Sequence, residues 1–143
     1  MVNVKDIAIA VTGLLQRSLP SFKVERNPVR PTDPWQASAR EAWVGVYRDT
    51  ESYQGQWMGP QPWLCQVTLK LEIQVASIQS PEDCEDRLLD AEKSVLDVIN
   101  ADRTLGGFVN MVNGYDVAYE YNMGKQAFYQ AAIVTIKAEV RTA

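Results

Sequence analysis

Histidine is absent from the 143 residues of the chain, which removes the commonest general base and the commonest side-chain metal ligand together. The other residue types able to carry chemistry are present, but their spacing is poor. Cys65 and Cys84 are too few for a disulfide framework or a metal cluster. Cys65 falls in a strand-like stretch and Cys84 on the apolar side of a helix-like one. Both read as buried free thiols, since free cysteine behaves as a small hydrophobe. One disulfide between them is the alternative.

The acidic run Glu82-Asp83-Cys84-Glu85-Asp86 could be read as a cation site. Consecutive helical residues point all around the helix, however, and calcium loops need Gly-punctuated spacing. A solvated helix start is the better reading. Asp116 and Glu120 share a strand face and could form a carboxylate pair, but no histidine or cofactor motif accompanies them. They read as ordinary wet-face residues. The chain has no Gly-rich phosphate loop, no nucleophile elbow and no metal-ligand spacing. The expectation is a non-catalytic protein with no cofactor and no metal.

The elements that would position these residues can be read from periodicity. Val4, Ile7, Ala8, Val11, Leu14 and Leu15 fall on one helical stripe. Asn3 can cap that helix, Asp6 sits in its first turn, and Pro20 stops it after Leu19. A short strand is expected over Phe22-Lys23-Val24-Glu25. Three prolines in the next segment, Pro28, Pro31 and Pro34, exclude regular structure there. Residues 42–48 read as a strand, with Ala42, Val44 and Val46 alternating with Trp43, Gly45 and Tyr47.

The clearest strand sets Cys65, Val67, Leu69, Leu71, Ile73 and Val75 against Gln66, Thr68, Lys70, Glu72 and Gln74. That alternation implies a sheet with one buried and one wet face, hence antiparallel. Ser80-Pro81-Glu82-Asp83 starts a second helix: Ser80 caps it, Pro81 takes the first position, and the two acids sit at the positive end of the dipole. Cys84, Leu88, Ala91, Val95, Val98 and Ile99 face one way, and Glu85, Asp86, Asp90, Glu92, Lys93 and Asp97 face water. The helix closes near Asn100–Asp102. A C-terminal hairpin follows: Val117, Tyr119 and Tyr121 alternate, 123–126 can turn, and 128–141 form the last strand. The order predicts one α+β domain over residues 1–143: a mainly antiparallel sheet with two helices packed on one face.

Composition agrees with that fold and narrows the function. At 46% hydrophobic and 22% charged, the chain has the make-up of a globular domain. A formal charge of −4, with its 14 basic residues scattered, argues against a general binder of nucleic acid or anionic membrane. No apolar run approaches the roughly 20 residues needed to span a bilayer, and the start of the chain does not read as a signal peptide.

Two long loops are expected, over about 27–41 and 49–62, and they are rich in large side chains. A loop of that length is unusual in a compact domain and tends to be functional. Arg30, Trp35, Tyr53, Trp57 and Met58 are therefore the candidate subunit or partner interface, because aromatic residues, Met and Arg are enriched in buried contacts. The plainer alternative is that these side chains fold back over the open end of the core.

From the second helix onward the pattern resembles bacteriophage tail terminator and tail-completion proteins. The helix closes on Asp102-Arg103-Thr104-Leu105-Gly106-Gly107, and a divergent strand and a terminal strand Ala131–Arg141 follow. The resemblance covers roughly residues 80–141, with the N-terminal helix fitting as a first element. Residues 27–63 do not take part, and the segment 48–63 departs from a minimal member of the family, so no contacts carry over there.

The resemblance implies a structural protein that forms a homo-oligomeric ring, typically a hexamer, on the head-proximal end of the tail tube. Such a ring stops tube polymerisation and presents a surface for head joining. The implied partners are the tail tube protein, the neck or connector protein and, in a contractile tail, the sheath. DNA would pass through the lumen without specific binding, and an acidic subunit suits such a lumen. The implied location is the virion tail, assembled in the host cytoplasm. The alternatives are another neck or head-completion (connector) protein and a small ligand-binding α+β domain, which would show a deep pocket with perturbed acids.

Overall fold

The computed structural model describes residues 3–28, 42–54, 63–123 and 128–142. Among them the chain order is α1 (Val4–Ser18), β1 (Lys23–Arg26), β2 (Trp43–Gln54), β3 (Trp63–Ser77), α2 (Pro81–Ala101), β4 (Met111–Met123) and β5 (Phe128–Thr142). The five strands form one sheet in the order β1-β2-β3-β5-β4. All neighbours are antiparallel except β1 and β2, which run parallel over Lys23–Arg26 and Trp43–Val46. Both helices pack on one face, as an α+β domain requires.

The helix ends follow the local chemistry of the sequence. Asn3 caps α1 by accepting from the Asp6 amide (3.3 Å), and the helix ends at Ser18 with Leu19 as its C-cap, ahead of Pro20. Ser80 caps α2 by accepting from the Asp83 amide (3.0 Å), with Pro81 at the first helical position. The Asp83 carboxylate then accepts from Arg87 Nε (3.0 Å) and from the Ser77 hydroxyl at the end of β3. One side chain thus fastens the helix start to the strand before it.

The core lies between the helices and the odd-numbered side of β3. Ile7, Val11 and Leu15 of α1, and Cys84, Leu88, Val95 and Ile99 of α2, meet the alternating apolar residues from Cys65 to Val75. Neighbouring strands add Val44 and Val46 on one side and Ala132, Val134 and Ile136 on the other. This is the arrangement that the period-two and period-3.6 patterns anticipate.

Three expectations need correction. The connection placed at 49–62 is shorter: residues 49–54 continue β2 and pair with β3 as far as Gln54↔Leu64. A bulge between Arg48 and Thr50 had hidden this continuation, because the extra residue breaks the alternation. There Asp49 accepts from the Thr68 hydroxyl (2.9 Å), and Thr50 and Thr68 share a hydroxyl hydrogen bond (2.6 Å). Second, the sheet face away from the helices is not simply wet. Trp43 is 2% exposed there, and Glu72, Ala76 and Ala131 are also buried on that side. The Trp43 indole N–H donates to Glu25 Oε2 of β1 (3.4 Å), and its ring shares the space above Gly45 with the Tyr47 ring. Third, β4 begins at Met111, before the alternating run that marked it, and a bulge between Val112 and Gly114 again breaks the period.

Candidate subunit interface

Of the predicted interface residues, Arg30, Trp35, Trp57 and Met58 lie outside the described residues. Tyr53 is described, and it stands in strand rather than loop. It pairs opposite Cys65, packs half-buried against the core, and its hydroxyl donates to Glu51 Oε2 (3.0 Å). Its ring therefore belongs in good part to the plainer reading, a side chain closing the end of the core.

Each of the chemical candidates has a definite place in the fold. Cys65 and Cys84 are free and buried, and burial is the main cause raising both thiols above their usual range. Thiols held protonated in this way are poor nucleophiles. Asp116 and Glu120 lie on the same face of β4, but the Asp116 carboxylate is taken by Lys137 Nζ (2.8 Å). The acidic run at 82–86 lies in the first turns of α2 and spreads around it, and no group of three potential metal ligands occurs among the described residues.

The phrase Asp102 to Gly107 turns out to be a compact turn organised by one carboxylate. Asp102 Oδ1 accepts from the Thr104 amide (3.2 Å) and hydroxyl (2.7 Å), while Oδ2 accepts from the Gly106 amide (2.9 Å). Those bonds, the Thr104 hydroxyl first, hold the Asp102 carboxyl below the ordinary carboxylate range. Leu105, Gly106 and Gly107 all adopt positive φ (52°, 75° and 90°), which is why two glycines stand there. Leu105 accepts the strained backbone and drops its side chain into the core, 1% exposed. The turn then redirects the chain from the end of α2 into β4, the last strand of the sheet.

Two surfaces are brought together by the fold that sequence reasoning did not find. On β4, Tyr115, Tyr119 and Tyr121 point to the helix side, yet all three stay exposed there. Tyr119 is 42% exposed and Tyr121 72%. The Tyr119 hydroxyl donates to Glu92 of α2 (2.8 Å), and this contact with a carboxylate raises the tyrosine above its usual range. Leu89, one turn before Glu92, is also exposed, so α2 and β4 together present an aromatic and acidic flank. The row of tyrosines at even spacing was legible as a strand. Its exposure depends on where the helix lies.

The second surface is basic and sits at the other side of the sheet. Lys5 of α1, Arg26 at the end of β1 and Arg48 of β2 line an open cleft of about 260 Å³ with Val4, Ala8, Asn27 and Val46. None of these three cations is ion-paired among the described residues. In the sequence they are far apart and look like scattered surface charge; parallel pairing of β1 with β2 and the seat of α1 bring them together. The charge is segregated accordingly. Helix α2 holds seven acids (Glu82, Asp83, Glu85, Asp86, Asp90, Glu92, Asp97) against two bases (Arg87, Lys93), which leaves 12 bases and 11 acids elsewhere. The sequence matches no protein-family model and no curated protein.

Proposed function

We propose that this protein is a structural subunit of a phage tail, forming a ring on the head-proximal end of the tail tube, where it ends tube growth and receives the neck. The observation that carries the reading is the open lateral side of the sheet. β4 is a 13-residue edge strand that carries exposed tyrosines, with no further strand beyond it among the described residues. Long edges of this kind are normally blunted or covered, because they invite pairing with another chain. Exposed Tyr residues are also characteristic anchors of subunit contacts.

The resemblance of residues 80–141 to tail terminators supplies the specific role. Its recurring phrase has a job in this fold, since the Asp102 turn launches the edge strand. A neck or connector protein remains the second reading, as it would use the same kind of surface on a different partner.

The test is the mass of the purified protein by light scattering, combined with electron microscopy of purified tail tubes incubated with it. A closed oligomer found at one end of each tube, and tubes that no longer elongate, are the expected results. A protein that leaves tube ends bare and elongation unchanged overturns the reading.

A further inference from the structure

We infer that copies of this chain join head to tail, the acidic tyrosine flank of α2 and β4 on one copy docking into the Lys5–Arg26–Arg48 cleft of the next. The inference rests on the ring reading for its biological setting, and it names the contact from which such a ring is built.

Three observations carry it. The first is charge complementarity. In a chain of net charge −4, three cations without ion-pair partners among the described residues converge on one cleft. Glu51, on the same face of β2, accepts instead from Tyr53. Across the molecule, α2 carries a large excess of acid, and Glu85 and Glu92 lie on its β4 side, about 10 Å apart along the helix axis at 1.5 Å per residue.

The second is placement. The cleft is at the β1–β2 side and the flank at the β4 side, with β3 and β5 between them. At about 4.8 Å per strand, the two surfaces lie on opposite lateral sides of the sheet, roughly 15 Å or more apart. A two-fold contact made through either surface alone would set like charge against like. A head-to-tail contact joins unlike surfaces and can close into a ring. The third is the character of the flank. Glu92 is oriented by Tyr119, and the exposed rings of Tyr119 and Tyr121 supply apolar area beside the carboxylates. Arg side chains suit such a surface, since the guanidinium both pairs with carboxylate and stacks on aromatic faces.

Two charge-reversed proteins test this: one with Arg26→Glu and Arg48→Glu, the other with Glu85→Arg and Glu92→Arg. Each alone is expected to scatter as a single chain, with an unchanged circular dichroism spectrum, while the parent protein scatters as an oligomer that dissociates as salt is raised. Mixed in equal amounts the two variants should assemble, because each then meets a complementary surface on the other. Recovery on mixing also shows that both variants are folded.

A parent protein that stays monomeric at every attainable concentration overturns the inference. Variants that keep the parent mass, or monomeric variants that ignore one another, do so too. Tube capping is scored separately. An oligomer built by this contact that leaves tube ends bare ends the tail reading and keeps the interface. Capping that survives either reversal ends the interface and keeps the tail reading.

Discussion

At the scale of single residues, several polar and thiol side chains among the described residues hold the shape of the chain. Asp102 is the clearest case, a carboxylate satisfied by three donors in a turn that three successive residues enter with positive φ. Its folded state holds the charged form, so its carboxyl titrates below the unfolded value of about 3.9. Linkage fixes the sign: a depressed acid contributes stability that is present above the unfolded value and is lost as pH falls through the folded one. Asp102→Asn is therefore expected to melt lower than the parent protein at neutral pH, with the gap closing below about pH 4. Thermal melts of both proteins across that range check it, and a gap that stays constant into acid would refute the role given to the charge. Cys65 and Cys84 follow the same logic in reverse, their thiols raised by burial and serving as small core residues.

At the scale of elements, the sheet depends on a close fit on the face away from the helices. A Cβ at Gly45 would stand 2.8 Å from Trp43 Cη2 and 2.8 Å from Tyr47 Cε2. Trp43 cannot swing away freely, being almost fully buried and bonded to Glu25 across the parallel β1–β2 pair. Gly45→Ala is expected to destabilise the protein by about 1–3 kcal/mol, the usual range for overpacking. Urea unfolding followed by tryptophan emission measures it, and a change within experimental error would mean the two rings move aside at no cost. This fit also bears on the proposed contact. β1 is only four residues long, so whatever anchors it to β2 also sets Arg26 at the mouth of the basic cleft.

At the scale of the whole molecule, the asymmetry between the two sides of the sheet matters most. One side is basic and concave, the other acidic, aromatic and ended by a long edge strand. Replacing Tyr115, Tyr119 and Tyr121 together by Ser should leave the fold intact, because all three are substantially exposed. Self-association should weaken, since these rings supply the apolar part of the contact. Sedimentation velocity beside circular dichroism reads both effects. An unchanged association constant in a folded triple variant would remove the tyrosines from the interface.

Local signals in the sequence determined much of this protein: both helix caps, the apolar stripes of α1 and α2, the strict alternation of β3 and the final strand. Each rests on contacts within a few residues, where chain geometry and side-chain chemistry suffice. Tertiary structure decided the rest. The bulges at Asp49 and Asn113 broke the alternation that would have marked the full lengths of β2 and β4. Parallel pairing of β1 to β2, and burial on the supposed wet face, depend on which strands become neighbours. The two candidate interface surfaces were hidden for the same reason. Lys5, Arg26 and Arg48 become one cleft, and Tyr119 meets Glu92, only when elements distant in sequence pack together.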